Sequence, residues 1–168
     1  SESEKDTAIS CGALAGIGEL YFYQYRYEMA ADYFNRALKL GEQIGDTVII
    51  NSSLANVALM YSSMGKNKEA LESYNKLLKI YLANGSKADL SSNYLNTGVC
   101  YLNMKGYLHA KSNYEKALFI YEELKDEENI TVCCMNLAEV CGMLEDFENA
   151  ERFGKRAVGL AIQKHNKE

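Results

Sequence analysis

Residues 54–77 read LANVALMYSSMGKNKEALESYNKL, and this stretch decides the fold. Leu54, Val57, Ala58 and Tyr61 fall on one face of a helix. Met64-Gly65-Lys66-Asn67 reads as a tight turn. Ala70, Tyr74 and Leu77 then mark a second helix. The same two-helix phrase recurs every 40 residues, four times in all. One column of the repeat is Ala30, Ala70, Ala110 and Ala150, and another is Ala37, Leu77, Ala117 and Ala157. A third reads Tyr27, Asn67, Tyr107 and Phe147, and a fourth Gly18, Ala58, Gly98 and Ala138. Small residues at fixed places on two helical faces mean that helices approach closely at the same points in every unit. Self-similarity at this period predicts an all-α solenoid in which each unit buries its apolar face against its neighbours.

Laid in register, the repeats span about 6–45, 46–85, 86–125 and 126–165, a single array over residues 1–168. The first helices are expected over 7–24, 47–64, 87–104 and 127–144, and the second over 27–44, 67–84, 107–124 and 147–164. Asp6, Asp46, Ser86 and Asp126 stand where N-caps are needed, since their side-chain oxygens accept from orphan backbone N–H groups. Ser86-Lys87-Ala88-Asp89 resembles a capping box, and Gly45 and Gly85 precede two of the caps as helix ends. Tyr21-Phe22-Tyr23-Gln24-Tyr25-Arg26-Tyr27 has aromatics at alternate positions, as a strand does. The register instead makes it a helix end, a turn and a helix start, because an isolated strand would have no partner.

The quoted columns resemble the tetratricopeptide repeat. The first copy is Leu14-x-x-Ile17-Gly18-x-x-Tyr21 with Ala30-x-x-x-Phe34 and Ala37, and the second is the opening stretch. The third is Tyr94-x-x-Thr97-Gly98-x-x-Tyr101 with Ala110-x-x-x-Tyr114 and Ala117. The fourth diverges: Cys134-x-x-Leu137-Ala138-x-x-Cys141, then Ala150-x-x-x-Gly154 and Ala157, with Phe153 placed to take the aromatic role one position early. The resemblance implies a right-handed superhelix of four helix–turn–helix units, eight helices in total. Two features depart from the family. The usual repeat is 34 residues long, and the terminal proline is missing. Long repeats of this kind are similar to those of kinesin light chains, of polarity adaptors that bind G-protein alpha subunits, and of bacterial peptide-pheromone receptors and Rap-type regulators. That likeness implies an extended or helical peptide held on the concave face, which the first helix of each pair lines.

On that face one column is Asn56, Asn96 and Asn136, with Gly16 in the first copy. A carboxamide offers a donor and an acceptor, as pairing with a peptide backbone requires. The alternative is that these side chains bond to the next helix and hold the superhelix together. Beside them run Glu19, Leu59, Val99 and Glu139, then Tyr23, Ser63, Asn103 and Met143. Ala15, Ala55, Leu95 and Met135 form a further column, and Phe22, Ser62, Leu102 and Gly142 another. The groove lacks the Lys and Arg clamp that captures chaperone C-terminal carboxylates. A neutral to mildly basic ligand with apolar anchors fits better.

Other classes find less support. A net charge of −5 with mixed signs argues against nucleic acid, whose binding rests on phosphate neutralisation. No apolar run approaches a membrane span. His109 and His165 lie apart from any catalytic constellation, and Gly16-x-Gly18 lacks the third glycine of a nucleotide loop. No enzyme activity and no cofactor are expected. Cys11, Cys100, Cys133, Cys134 and Cys141 form no CxxC and are expected to be buried, reduced and free of metal. Unpaired thiols point to a cytoplasmic setting, or to the repeat segment of a larger membrane-anchored sensor. The leading expectation is a peptide- or protein-binding scaffold. A ligand-sensing segment of a bacterial regulator and a structural or oligomerisation unit are the alternatives. The apolar Val158, Leu160 and Ile162 in the last helix, and Asn166 at the next cap position, suggest a piece of a longer protein with possible end-to-end self-association.

Overall fold

The computed structural model describes residues 2–84 and 86–165. Eight helices follow one another, with no strand among the described residues: α1 (Glu2–Tyr23), α2 (Tyr27–Ile44), α3 (Thr47–Ser63), α4 (Asn67–Asn84), α5 (Lys87–Asn103), α6 (Tyr107–Leu124), α7 (Glu127–Met143) and α8 (Phe147–His165). These form the four expected helix–turn–helix pairs. The stretch Tyr21–Tyr27 is helix, turn and helix, as the register requires. No helix among the described residues is long and apolar enough to cross a membrane.

The turns repeat as faithfully as the helices. Tyr25, Gly65, Lys105 and Glu145 all take positive φ, between 59° and 73°. The next N–H then reaches back five residues: Arg26 to Tyr21 O, Lys66 to Tyr61 O, Gly106 to Tyr101 O and Asp146 to Cys141 O, at 2.8–2.9 Å. This is the 6→1 bond of a Schellman cap, which satisfies an orphan carbonyl at the helix end. The turn at 105–107 therefore places Lys105, not the adjacent Gly106, in the left-handed conformation. Between repeats, Gly45 and Lys125 play the same part, with Asp46 N–H on Gly41 O and Asp126 N–H on Tyr121 O.

Two of the expected caps form and two do not. Asp46 accepts from the N–H groups of Val48 and Ile49, and Asp126 from that of Asn129. Hydrogen bonds from Asn129 hold the Asp126 carboxyl below its usual range. Asp6 is not a cap. α1 begins at Glu2, and the Asp6 carbonyl accepts from Ser10 Oγ inside the helix. The helix therefore begins several residues before the expected cap. Ser86 caps no backbone N–H: its hydroxyl donates to Asp89 Oδ2 at 2.5 Å, so the capping box is not made. Gly85 and Asn166 lie outside the described residues. A cap not anticipated is Asp146, which accepts from Asn149 and from Lys111 Nζ of α6 at 3.0 Å.

The chain divides into two compact units, residues 1–77 and 78–168, the division falling within α4. In the first, α2 packs on both α1 and α3. Its core includes Ala30, Ala31, Phe34, Val57 and Met60. In the second, α5 packs on α6, α6 on α7 and α7 on α8, around Tyr114, Leu118, Tyr121, Ile130, Leu137, Val140 and Phe153. The small-residue column has a direct cause. A Cβ on Gly18 would meet the Phe34 ring at 2.8 Å, and one on Gly98 the Tyr114 ring at 2.5 Å. In the last repeat the sizes are exchanged, with Ala138 opposite Gly154, and Phe153 is buried one position earlier.

Candidate functional site

The first helices of the pairs carry a face that packing leaves open. In the first unit it consists of Gly16, Glu19 and Tyr23 on α1, and of Asn56, Leu59 and Ser63 on α3. In the second unit it consists of Asn96, Val99 and Asn103 on α5, and of Asn136, Glu139 and Met143 on α7. The spacing is i, i+3, i+7 each time, which aligns the side chains along one helical stripe. Glu19, Leu59, Ser63, Asn103 and Glu139 are exposed, and Tyr23 is 76% exposed. Asn56, Asn96 and Asn136 are half-buried.

The three half-buried carboxamides differ from four others in the chain, though Asn51 on α3 is likewise half-buried with no hydrogen bond among the described residues. Asn35 and Asn113 donate to carbonyls one turn back, and Asn129 and Asn149 to cap carboxylates. Asn56, Asn96 and Asn136 make no hydrogen bond to any described residue. Each therefore presents an unengaged donor and acceptor. Gly16 takes their place on α1, where an added Cβ would meet nothing within 4 Å.

Val99 differs from the rest of the stripe. It is half-buried and packs with Leu95 and Leu102 against the core of the second unit. The register places residues on a face but does not say how much of that face the following helix covers. Met143, 54% exposed, adds an apolar side chain to the stripe on α7.

The carboxylates Glu19 and Glu139 give the face negative charge. Behind Glu139 lies Tyr114, whose phenol is pushed up by burial and further by that carboxylate. The hydroxyl of Tyr114 is buried with no partner among the described residues. None of the five cysteines is in a disulfide and all are buried, and burial pushes the Cys133 thiol up to about 12, with Cys134 and Asp126 contributing. Cys11, Cys134 and Cys141 are raised for the same first reason. A protonated, shielded thiol is chemically inert. His109 is exposed and stacks on Tyr101 at 5.0 Å.

Residues 10–83 match the family model of the tetratricopeptide repeat. Among solved structures the chain is similar to BtubC (BKLC) from P. vanneervenii, with 23% identity and a TM-score of 0.85, over 92% of this chain and 64% of that one. It is similar to the apo form of RapI, with 22% identity and a TM-score of 0.85, over 94% of this chain and 44% of that one. It is also similar to a signal-transduction ATPase with numerous domains from Pyrococcus horikoshii that bears a tetratricopeptide repeat sensor, with 22% identity and a TM-score of 0.84, over 96% of this chain and 25% of that one. The chain thus spans less than two thirds of the length of each. No curated protein matches it in sequence.

Proposed function

With residues 10–83 matching the tetratricopeptide repeat and residues 86–165 repeating their turns and spacing, we propose that the chain is a peptide-binding scaffold. The open stripes of α1 and α3, and of α5 and α7, hold segments of an extended polypeptide. The carrying observation is that Asn56, Asn96 and Asn136 are half-buried yet have no hydrogen-bond partner among the described residues. This supports ligand pairing over the alternative that they clamp neighbouring helices. A peptide backbone supplies a matching donor and acceptor whatever its side chains are. Leu59, Tyr23 and Met143 offer apolar contact, and Glu19 and Glu139 favour a neutral to mildly basic ligand.

Each backbone hydrogen bond contributes on the order of 0.5–1.5 kcal/mol net. A triple variant Asn56→Ala, Asn96→Ala, Asn136→Ala should therefore lose roughly tenfold or more in affinity. The measurement is titration calorimetry against a peptide selected from a library on the native chain, with thermal unfolding alongside. Unchanged affinity with a lowered melting temperature would show that the column is structural.

A further inference from the structure

The α5–α6 pair carries an apolar depression of about 500 Å³, lined by Leu90 and Tyr94 of α5 and by Glu115, Lys116, Phe119 and Ile120 of α6 among others. Tyr94 lies two residues from Asn96, about 200° around the helix, so the depression is on the far side of α5 from the carboxamide stripe. Described helices precede and follow this pair in the chain. Two departures from the repeat make the depression apolar and open. Phe119 is 63% exposed, at a position that Lys39, Lys79 and Gly159 hold in the other repeats. Leu90 and Tyr94 are half-buried, whereas their counterparts Ile130 and Cys134 are buried. A third departure is in charge. Arg156 of α8 meets Glu122 of α6 at 2.6 Å. One repeat earlier the same two positions are Lys116 and Leu82, so the carboxylate is missing. Lys116 lies instead over the Tyr94 ring, with Nζ 5.4 Å from its centroid, and pairs with no carboxylate among the described residues.

We propose that this depression docks an amphipathic helix of a partner protein, which sets apolar side chains against Tyr94 and Phe119 and a carboxylate on Lys116. The lining decides the form of the occupant. An extended segment would lay unpaired N–H and C=O groups over apolar side chains, which is costly. A helix satisfies its own backbone and needs only an apolar face to lie in such a groove. Along α6 the lining runs from Ser112 to Ile120, about 12 Å, which matches two turns of a partner helix. Charge decides what flanks that apolar face. A carboxylate from the partner restores at Lys116 the pair that Glu122 makes with Arg156. Glu115 does not fill that role, because its charge is answered by Lys111, which is held charged first by its bond to Asp146 and further by Glu115. The two faces of α5 are separate, so one chain can hold an extended segment on the stripe and a helix here.

Fluorescence anisotropy with the 168-residue chain and two labelled peptides tests this. Each peptide has about 16 residues, enough to hold a helix. They share a face of Leu and Phe at i, i+3, i+4 and i+7, flanked by Glu in one and by Lys in the other. The Glu peptide should bind roughly tenfold more tightly than the Lys peptide. Lys116→Glu should reverse that order. Phe119→Lys, which installs the residue of the first two repeats, should weaken both peptides roughly tenfold. Both substitutions fall at exposed positions of α6, and circular dichroism checks that the variants stay helical. The triple Asn→Ala variant of the stripe should bind both peptides as the wild type does, which separates this site from the stripe. Absence of binding, an order that Lys116→Glu leaves unchanged, or full affinity in Phe119→Lys overturns the proposal. So does loss of binding in the triple Asn variant. A Glu peptide broken by a central proline that binds as tightly as the intact one also overturns it, because the occupant would then be extended.

Discussion

A Cβ on Gly98 would fall 2.5 Å from Tyr114 Cε1, and the Tyr114 ring is fully buried and has nowhere to move. Alanine gains about 1 kcal/mol over glycine in a helix interior. Overpacking a filled core costs about 1–3 kcal/mol. At this separation the second effect wins, so Gly98→Ala should destabilise the protein by roughly 1 kcal/mol. Gly159 on α8 has nothing within 4 Å of an added Cβ, and there the helical gain stands alone. Gly159→Ala should stabilise by up to about 1 kcal/mol. Urea unfolding of the two variants should move the midpoint in opposite directions, and equal shifts would contradict the packing account. The sequence placed Gly98 in a small-residue column without naming what lay opposite. The partner becomes legible only when columns are compared: Gly18 and Gly98 face aromatics, while Ala138 faces Gly154. For the site, the register found the stripe bearing Asn56, Asn96 and Asn136, but it could not show that Val99 is drawn into packing. Burial by a neighbouring helix is a property of the stack, not of the helix that carries the residue.

Helix boundaries were readable because two signals coincide at each, the end of an apolar period and a residue suited to a cap or a turn. Where the signals separate, the reading slips. Asp6 is a good cap residue, yet α1 continues through it, and its carbonyl accepts from Ser10 Oγ inside the helix. Gly106 is a good turn residue, yet the register gives the left-handed position to Lys105, with φ at 60°. A left-handed conformation costs a side-chain-bearing residue about 1–2 kcal/mol. Glycine avoids that cost but loses about 0.4–1 kcal/mol through the greater freedom of its unfolded chain. Lys105→Gly should therefore stabilise by about 0.5–1 kcal/mol, with the Gly106-to-Tyr101 bond retained. Thermal unfolding checks this. Gly65, in the same position of the second repeat, supplies the mirror experiment. Gly65→Ala should destabilise by a similar amount, and a neutral result at both sites would mean that the turns relax out of the left-handed region.

Stability in a stack of repeats is the sum of what each unit contributes and what its neighbours add. The helices are unequal members of that sum. α7 buries Ile130, Cys133, Cys134, Leu137, Val140 and Cys141, using neighbours on both sides. α1 buries only Cys11 and Gly18 among its described side-chain positions, and leaves Ile9 and Leu20 to solvent. Full burial of one aliphatic side chain is worth about 1.5–3 kcal/mol, so α1 should open without the rest of the chain unfolding. In native-state hydrogen exchange, amides of α7 should reach the largest opening free energies. Those of α1 should lie at least about 2 kcal/mol lower. Equal protection of α1 and α7 would mean that the chain unfolds as one cooperative block.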